Sequence, residues 1–155
     1  MQRRQFLRQA AALSGLAWVG SPVWGATGAA KLTWQTDLRE AHTLAVEQDR
    51  PILLVFSAKW CTYCHKLLRE VGADKKLAAF VSANFVPTQL DFDKEKRIAE
   101  VLDVESLPTT LLLTPKVDLL QRKAGYMKPD VFRKWLDEGL AKQAEIRQVN
   151  GTLAP

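Results

Sequence analysis

Cysteine and histidine are scarce in this chain, with two of each among 155 residues. That argues against a structural zinc site, because His42 has no partner at metal-ligand spacing from Cys61, Cys64 and His65. Long apolar runs are missing as well. The stretch from Ala10 to Gly20 has about half of the roughly twenty residues needed to cross a bilayer. Acidic residues are absent from the first thirty positions, which carry Arg3, Arg4 and Arg8. No internal repeat and no low-complexity segment is present, and no basic stripe of the kind that follows a nucleic-acid backbone.

The acid-free start reads as an export signal over residues 1–30: a basic opening, a short apolar stretch, then small residues from Gly25 to Ala30. Within it Arg3-Arg4-Gln5-Phe6-Leu7-Arg8 is similar to a twin-arginine signal, with an ordinary secretory leader as the alternative. Removing this segment leaves 19 basic against 17 acidic residues, so a net charge of +5 drops to about +2. The basic character of the whole chain therefore belongs partly to the leader and argues for no nucleic-acid partner. The remaining length suffices for one domain with a real core, expected over 31–145, followed by a polar tail over 146–155. The expected location is periplasmic, with a mature protein that does not span the membrane.

The two cysteines stand together as Trp60-Cys61-Thr62-Tyr63-Cys64-His65, directly after the apolar run from Pro51 to Phe56. A C-x-x-C pair at the end of a buried strand reads as a redox site. At the first turn of a helix, Cys61 would face unpaired backbone N–H groups and the positive end of the helix dipole, which favour thiolate over thiol. Cys64 would lie one turn along the same face, within reach of a mixed disulfide formed at Cys61. In an exported chain the pair could instead be a structural staple. A loop of two residues speaks against that, since closing it removes little chain entropy from the unfolded state.

Along the rest of the chain, Thr36-Asp37 can cap a helix in which Leu38, Ala41, Leu44 and Ala45 share a face. Ile52 to Phe56 is continuously apolar, as in a strand covered on both faces. A helix after the cysteines is expected to break at Gly72, with Asp74 capping the next. Phe85 to Phe92 reads as a strand, and Asp93 to Glu100 as a solvated helix with Ile98, Val101 and Leu102 turned inward. Thr110 to Thr114 and Leu119 to Lys123 read as strands joined by a turn. Pro129-Asp130 opens a last helix expected to bury Val131, Phe132, Trp135, Leu136 and Leu140. That order implies an α/β fold with a mixed sheet and helices on both faces.

Three matched points make the chain resemble the thioredoxin superfamily over roughly Thr33 to Leu140: Trp60-Cys61-x-x-Cys64 after a buried strand, Leu107-Pro108-Thr109 before another, and Gly125 between the last strand and helix. The resemblance implies a thioredoxin-like three-layer α/β/α sandwich with a central mixed sheet. It implies that Cys61 is the exposed nucleophile, Cys64 the buried resolving thiol and Pro108 a cis proline facing them. The backbone of Leu107 would pair with an extended substrate, so Trp60, Leu107, Pro108 and Thr109 are the expected substrate-binding residues. Phe56 to Cys64, Leu107 to Thr109 and Gly125-Tyr126 are similar to the C-terminal domain of membrane thiol:disulfide interchange reductases. Cys61-x-Tyr63-Cys64-His65-Lys66-Leu67 is similar instead to periplasmic disulfide isomerases. One departure stands out: many thioredoxins carry a buried Asp five residues before the motif Trp, where this chain has Val55.

The function so implied is a periplasmic thiol:disulfide oxidoreductase, favouring reduction, with protein disulfide or dithiol substrates and a membrane or periplasmic redox partner. Neither cofactor nor metal is required by this chemistry. The same residues also satisfy the C-x-x-C-H pattern of covalent haem attachment, with His65 as axial ligand and Met127 opposite, although that pattern has no need of the buried strand or of Leu107-Pro108-Thr109. A non-catalytic binding module that keeps the fold is the third reading. His65 could tune the site but reads rather as a solvated side chain, Trp60 is expected to shield the nucleophile with plain packing as the alternative, and the bland reading of Tyr63 is a solvent-facing spacer.

Overall fold

The computed structural model describes residues 31–152; the export-signal segment lies outside the described residues. The elements follow in the order α1 (Leu38–Gln48), β1 (Ile52–Ser57), α2 (Thr62–Ala73), α3 (Lys75–Asn84), β2 (Val86–Asp91), α4 (Lys96–Val101), β3 (Thr109–Leu113), β4 (Leu119–Ala124) and α5 (Pro129–Thr152). The sheet has the strand order β2-β1-β3-β4. β1 runs parallel to β2 and antiparallel to β3, and β3 antiparallel to β4, so the sheet is mixed.

Every residue of β1 is buried, as expected for a strand at the centre of the sheet. Its alternate side chains separate two cores. Ile52, Leu54 and Phe56 pack with Ala41 and Ala45 of α1 and Ala99 of α4. Leu53 and Val55 pack with Leu67 and Val71 of α2, Leu77 and Val81 of α3, and Phe132 and Leu136 of α5. Two helices therefore cover one face and three the other, which is the three-layer α/β/α sandwich. Pro87 is accommodated on β2 because that strand lies at the sheet edge, where the Pro87 carbonyl accepts the Gln35 N–H at 2.8 Å.

Helix boundaries differ from the sequence reading where a polar contact decides. α2 runs through Gly72 and ends at Ala73, because the Asp74 carboxylate takes the N–H groups of Lys76 and Leu77, both at 3.0 Å, and starts α3. A glycine facing open space costs a helix only about 1 kcal/mol, too little to end it there. Val101 is 84% exposed and not inward: Ala99 is the buried residue of α4, and Val101 lies about 200° round the helix from it. Val131 is likewise half exposed, since the inward stripe of α5 is Phe132, Leu136, Gly139 and Gln143. That helix also continues to Thr152, past the point where the sequence pattern fades. Its second half docks through polar groups, with Lys142 donating to Gln121 at 3.2 Å and Arg147 paired to Asp49 at 2.8 Å.

Candidate active site

After Ser57 the chain leaves β1, turns through Ala58, Lys59 and Trp60, and enters α2. Cys61 caps that helix in an extended conformation, and its Sγ accepts the Cys64 N–H at 3.2 Å. The sulfur thus sits where unpaired N–H groups and the helix dipole stabilise negative charge. The turn is held by the Cys61 N–H, which donates to the Ala58 carbonyl at 3.0 Å, and by His65. The His65 Nε2 lies 3.1 Å from the same carbonyl, which can only accept, so Nε2 carries a proton. His65 is exposed, as expected of a solvated side chain, and its ring also braces the cysteine turn.

Cys61 and Cys64 form a disulfide with S–S 2.09 Å and Cα–Cα 5.3 Å. Cys64 is fully buried and Cys61 is 6% exposed. Cys61 is more enclosed than the resemblance implies because Phe92 and Leu107 pack against the cluster of Ala58, Cys61 and Cys64. The exposed part of the site is aromatic: Trp60 is 67% exposed and Tyr63 62%. Trp60 is anchored by its Nε1–H, which donates to Asp93 Oδ2 at 3.0 Å. Nothing in the charge run from Asp93 to Glu100 singled out that partner. Tyr63 is more than a spacer, since its ring meets that of Tyr126 at 6.2 Å between centroids.

Tyr126 gathers a small polar group beside α2. Its hydroxyl donates to the Glu70 carboxylate, and Lys66 Nζ lies 4.7 Å from the ring centroid. The hydrogen bond to Glu70, followed by desolvation and the charges of Glu70 and Asp130, holds the Tyr126 phenol above the usual tyrosine range.

The Leu107–Pro108 bond is cis, and Pro108 is buried beside the disulfide turn's partner Leu107. The Pro108 carbonyl accepts the Gly125 N–H at 2.7 Å, and Gly125 has φ +90°, which suits glycine. Thr109 is 2% exposed and its hydroxyl donates to the Ser106 carbonyl at 2.6 Å. Thr109 and Pro108 thus hold the loop, while Leu107 presents it to the cysteines. Among the described residues, the N–H and C=O of Leu107 have no hydrogen-bond partner. Val55 is buried among Leu67, Phe132 and Leu136, with no acid in its place.

The haem reading does not fit this arrangement. Both sulfurs are joined to each other, the His65 Nε2 is turned to a backbone carbonyl, and Met127 is 3% exposed within the core under α2 and α5. A cleft of about 340 Å³ lined by Asp37, Leu38, His42 and Ile98 lies on the α1 and α4 side of the sheet, away from this chemistry. Among the described residues no helix is long and apolar enough to cross a membrane.

A family model described as a thioredoxin-like domain matches residues 38–140. Thioredoxin of Borreliella burgdorferi is 33% identical over 88 residues, which is 54% of this chain and 68% of that protein. Protein disulfide-isomerase 5-2 of Arabidopsis thaliana is 26% identical over 102 residues, 66% of this chain but only 23% of the isomerase. Among solved structures, a thioredoxin from Thermus thermophilus superposes with a TM-score of 0.65 at 26% identity, covering 72% of this chain and 89% of that one.

Proposed function

The chain belongs to the thioredoxin-like domain family and is a thiol-disulfide oxidoreductase with a C-x-x-C pair, and from that premise we propose that it is exported and reduces disulfides of protein substrates outside the cytoplasm. The observation that carries the substrate class is Leu107: it packs against the disulfide while its backbone N–H and C=O lack partners among the described residues. An extended peptide laid there gains two main-chain hydrogen bonds and brings its own sulfur to Cys61. Trp60 and Tyr63, flanking Cys61 in sequence, add exposed aromatic surface.

In the reductive direction the Cys61 thiolate attacks a substrate disulfide, one substrate sulfur leaves as a thiol, and Cys64 displaces the other, leaving the Cys61–Cys64 disulfide. A membrane or periplasmic partner then returns two electrons. Export is supported by the twin-arginine-like start, Arg3-Arg4-Gln5-Phe6-Leu7-Arg8. Direction follows reduction potential, where roughly 30 mV corresponds to about 1.4 kcal/mol for two electrons.

Acid quench of intact cells followed by thiol alkylation reads the state of Cys61 and Cys64 directly. A mostly reduced pair in the exported fraction is the expected result, and a mostly oxidised pair overturns the reductive direction. Cell fractionation of the double variant Arg3→Lys, Arg4→Lys tests the route: it is expected to stay inside the cell, and unchanged export rules out the twin-arginine path.

A further inference from the structure

The disulfide chemistry needs a thiolate at each cysteine in turn, and Cys64 is badly placed to form one unaided. It is fully buried, and its Sγ lies 4.0 Å from the Phe56 carbonyl. A carbonyl only accepts hydrogen bonds, so in the reduced protein that contact stabilises the thiol and not the thiolate. Removal from water acts in the same sense.

The neighbouring strand carries a donor. Val55 stands opposite Thr110 in the β1–β3 register, and Phe56 stands opposite Thr109. Directly opposed residues share a face of the sheet, and Val55 faces α2, where it packs with Leu67 and Val71. Leu112, two residues beyond Thr110, belongs to the same core. Thr110 therefore projects to the α2 face, one strand over from the backbone that Cys64 Sγ approaches. Its exposure is 0%, and among the described residues its Oγ1 has no hydrogen-bond partner. A valine would fill that place without leaving a buried hydroxyl unpaired.

We propose that Thr110 is the positioning residue for the resolving step, its hydroxyl donating to the Cys64 thiolate directly or through one bridging water. In the mixed disulfide, Cys61 Sγ is bonded to a substrate sulfur. Cys64 gives its proton to solvent, and the resulting thiolate attacks Cys61 Sγ. The Cys61–Cys64 bond forms as the bond to substrate breaks, and the substrate sulfur leaves as a thiolate that takes a proton from solvent. Two electrons pass from the protein dithiol to the substrate, and Thr110 keeps its proton throughout.

The charged and titratable groups around this end of the sheet lie nearer the surface than Thr110. Lys123 of β4, opposite Thr110, is exposed, and so is Lys59 in the cysteine turn. On α2, His65 is tied to Ala58, Glu70 to Tyr126, and Lys66 lies over the Tyr126 ring. Asp93 holds Trp60, Gln89 of β2, level with Val55, is uncharged, and half-buried Asp91, level with Ser57 on the same face, accepts the Asp93 N–H at 3.0 Å.

The assignment rests on the proposed order, Cys61 attacking and Cys64 resolving. The test uses the reduced full chain carrying Cys61→Ala, with thiolate absorbance of Cys64 followed against pH. Thr110→Val is expected to move the midpoint upward by roughly one pH unit, as loss of one charge-assisted hydrogen bond would, and Thr110→Ser to restore it. In the two-cysteine protein, Thr110→Val should slow resolution at neutral pH roughly tenfold, while attack by Cys61, measured with Cys64→Ala, stays unchanged. An unmoved midpoint in folded Thr110→Val overturns the proposal and leaves the order of attack standing; a fall in thermal stability alone does the same. If Cys61→Ala captures substrate as readily as Cys64→Ala, the order of attack fails and the assignment falls with it. Thr110→Ala replaces the valine variant should that one not fold.

Discussion

The His65 imidazole donates from Nε2 to the Ala58 carbonyl at 3.1 Å, closing the turn that carries Cys61. The Cys61 N–H donates to the same oxygen, so His65 and Cys61 share one acceptor. His65→Ala is expected to lower stability by about 1 kcal/mol, the usual net worth of such a bond. His65→Gln should recover part of it, because the amide can still donate. Thermal melts of the oxidised proteins check this, and an unchanged melting temperature in His65→Ala removes the brace.

Tyr126 ties the loop after β4 to α2 through Glu70. Its phenol is held above the usual tyrosine range in the folded chain, first by that hydrogen bond. A group raised on folding contributes stability that is complete below its unfolded value, about 10 for tyrosine, and lost as pH climbs through the folded one. The wild-type protein should therefore weaken in strongly alkaline solution by a term that Tyr126→Phe lacks. Denaturant melts from neutral to strongly alkaline pH compare the two, and parallel curves would mean that the Tyr126 phenol is not raised on folding.

Much of this architecture was legible in the sequence because it rests on apolar pattern. The run Ile52 to Phe56 announced a central strand, Asp37 and Asp74 announced helix starts, and Leu107-Pro108-Thr109 announced the loop that meets the cysteines. What stayed hidden depends on polar pairs distant in sequence or on helix rotation. Glu70 and Tyr126 are 56 residues apart, and Arg147 reaches Asp49 across 98. Neither leaves a periodic mark, so α5 reads as a tail beyond 145 although it is helical to Thr152. Val101 and Val131 misled for a different reason: a valine in a short or half-buried helix carries no sign of which side it takes.

Gly139 shows how close α5 lies to the sheet. A Cβ there would overlap Leu112 Cδ1 and come within 2.8 Å of Gln121 Nε2. Helix propensity favours alanine over glycine by about 1 kcal/mol, but overpacking a filled core costs roughly 1–3 kcal/mol. Leu112 is fully buried and Gln121 is engaged with the Trp135 carbonyl and Lys142, so neither side chain yields freely. Gly139→Ala should therefore destabilise the fold despite the better helix former. Urea titration at constant slope reads the difference, and a gain in stability would mean that α5 shifts away from the sheet without loss.

The order of attack is open to a covalent test. Cys61 caps α2 and meets the helix N–H groups, whereas Cys64 is fully buried against the Phe56 carbonyl. An incoming disulfide can reach only the first of these without opening the turn. Cys64→Ala should accumulate a mixed disulfide with its protein partner, because the resolving sulfur is gone and the bond at Cys61 persists. Cys61→Ala should accumulate none and lose turnover altogether. Non-reducing electrophoresis of acid-trapped samples distinguishes the two, and mass spectrometry of the retained species names the partner. Equal trapping by both variants would mean that substrate enters at either sulfur, and no trapping by Cys64→Ala would remove Cys61 as the attacking group.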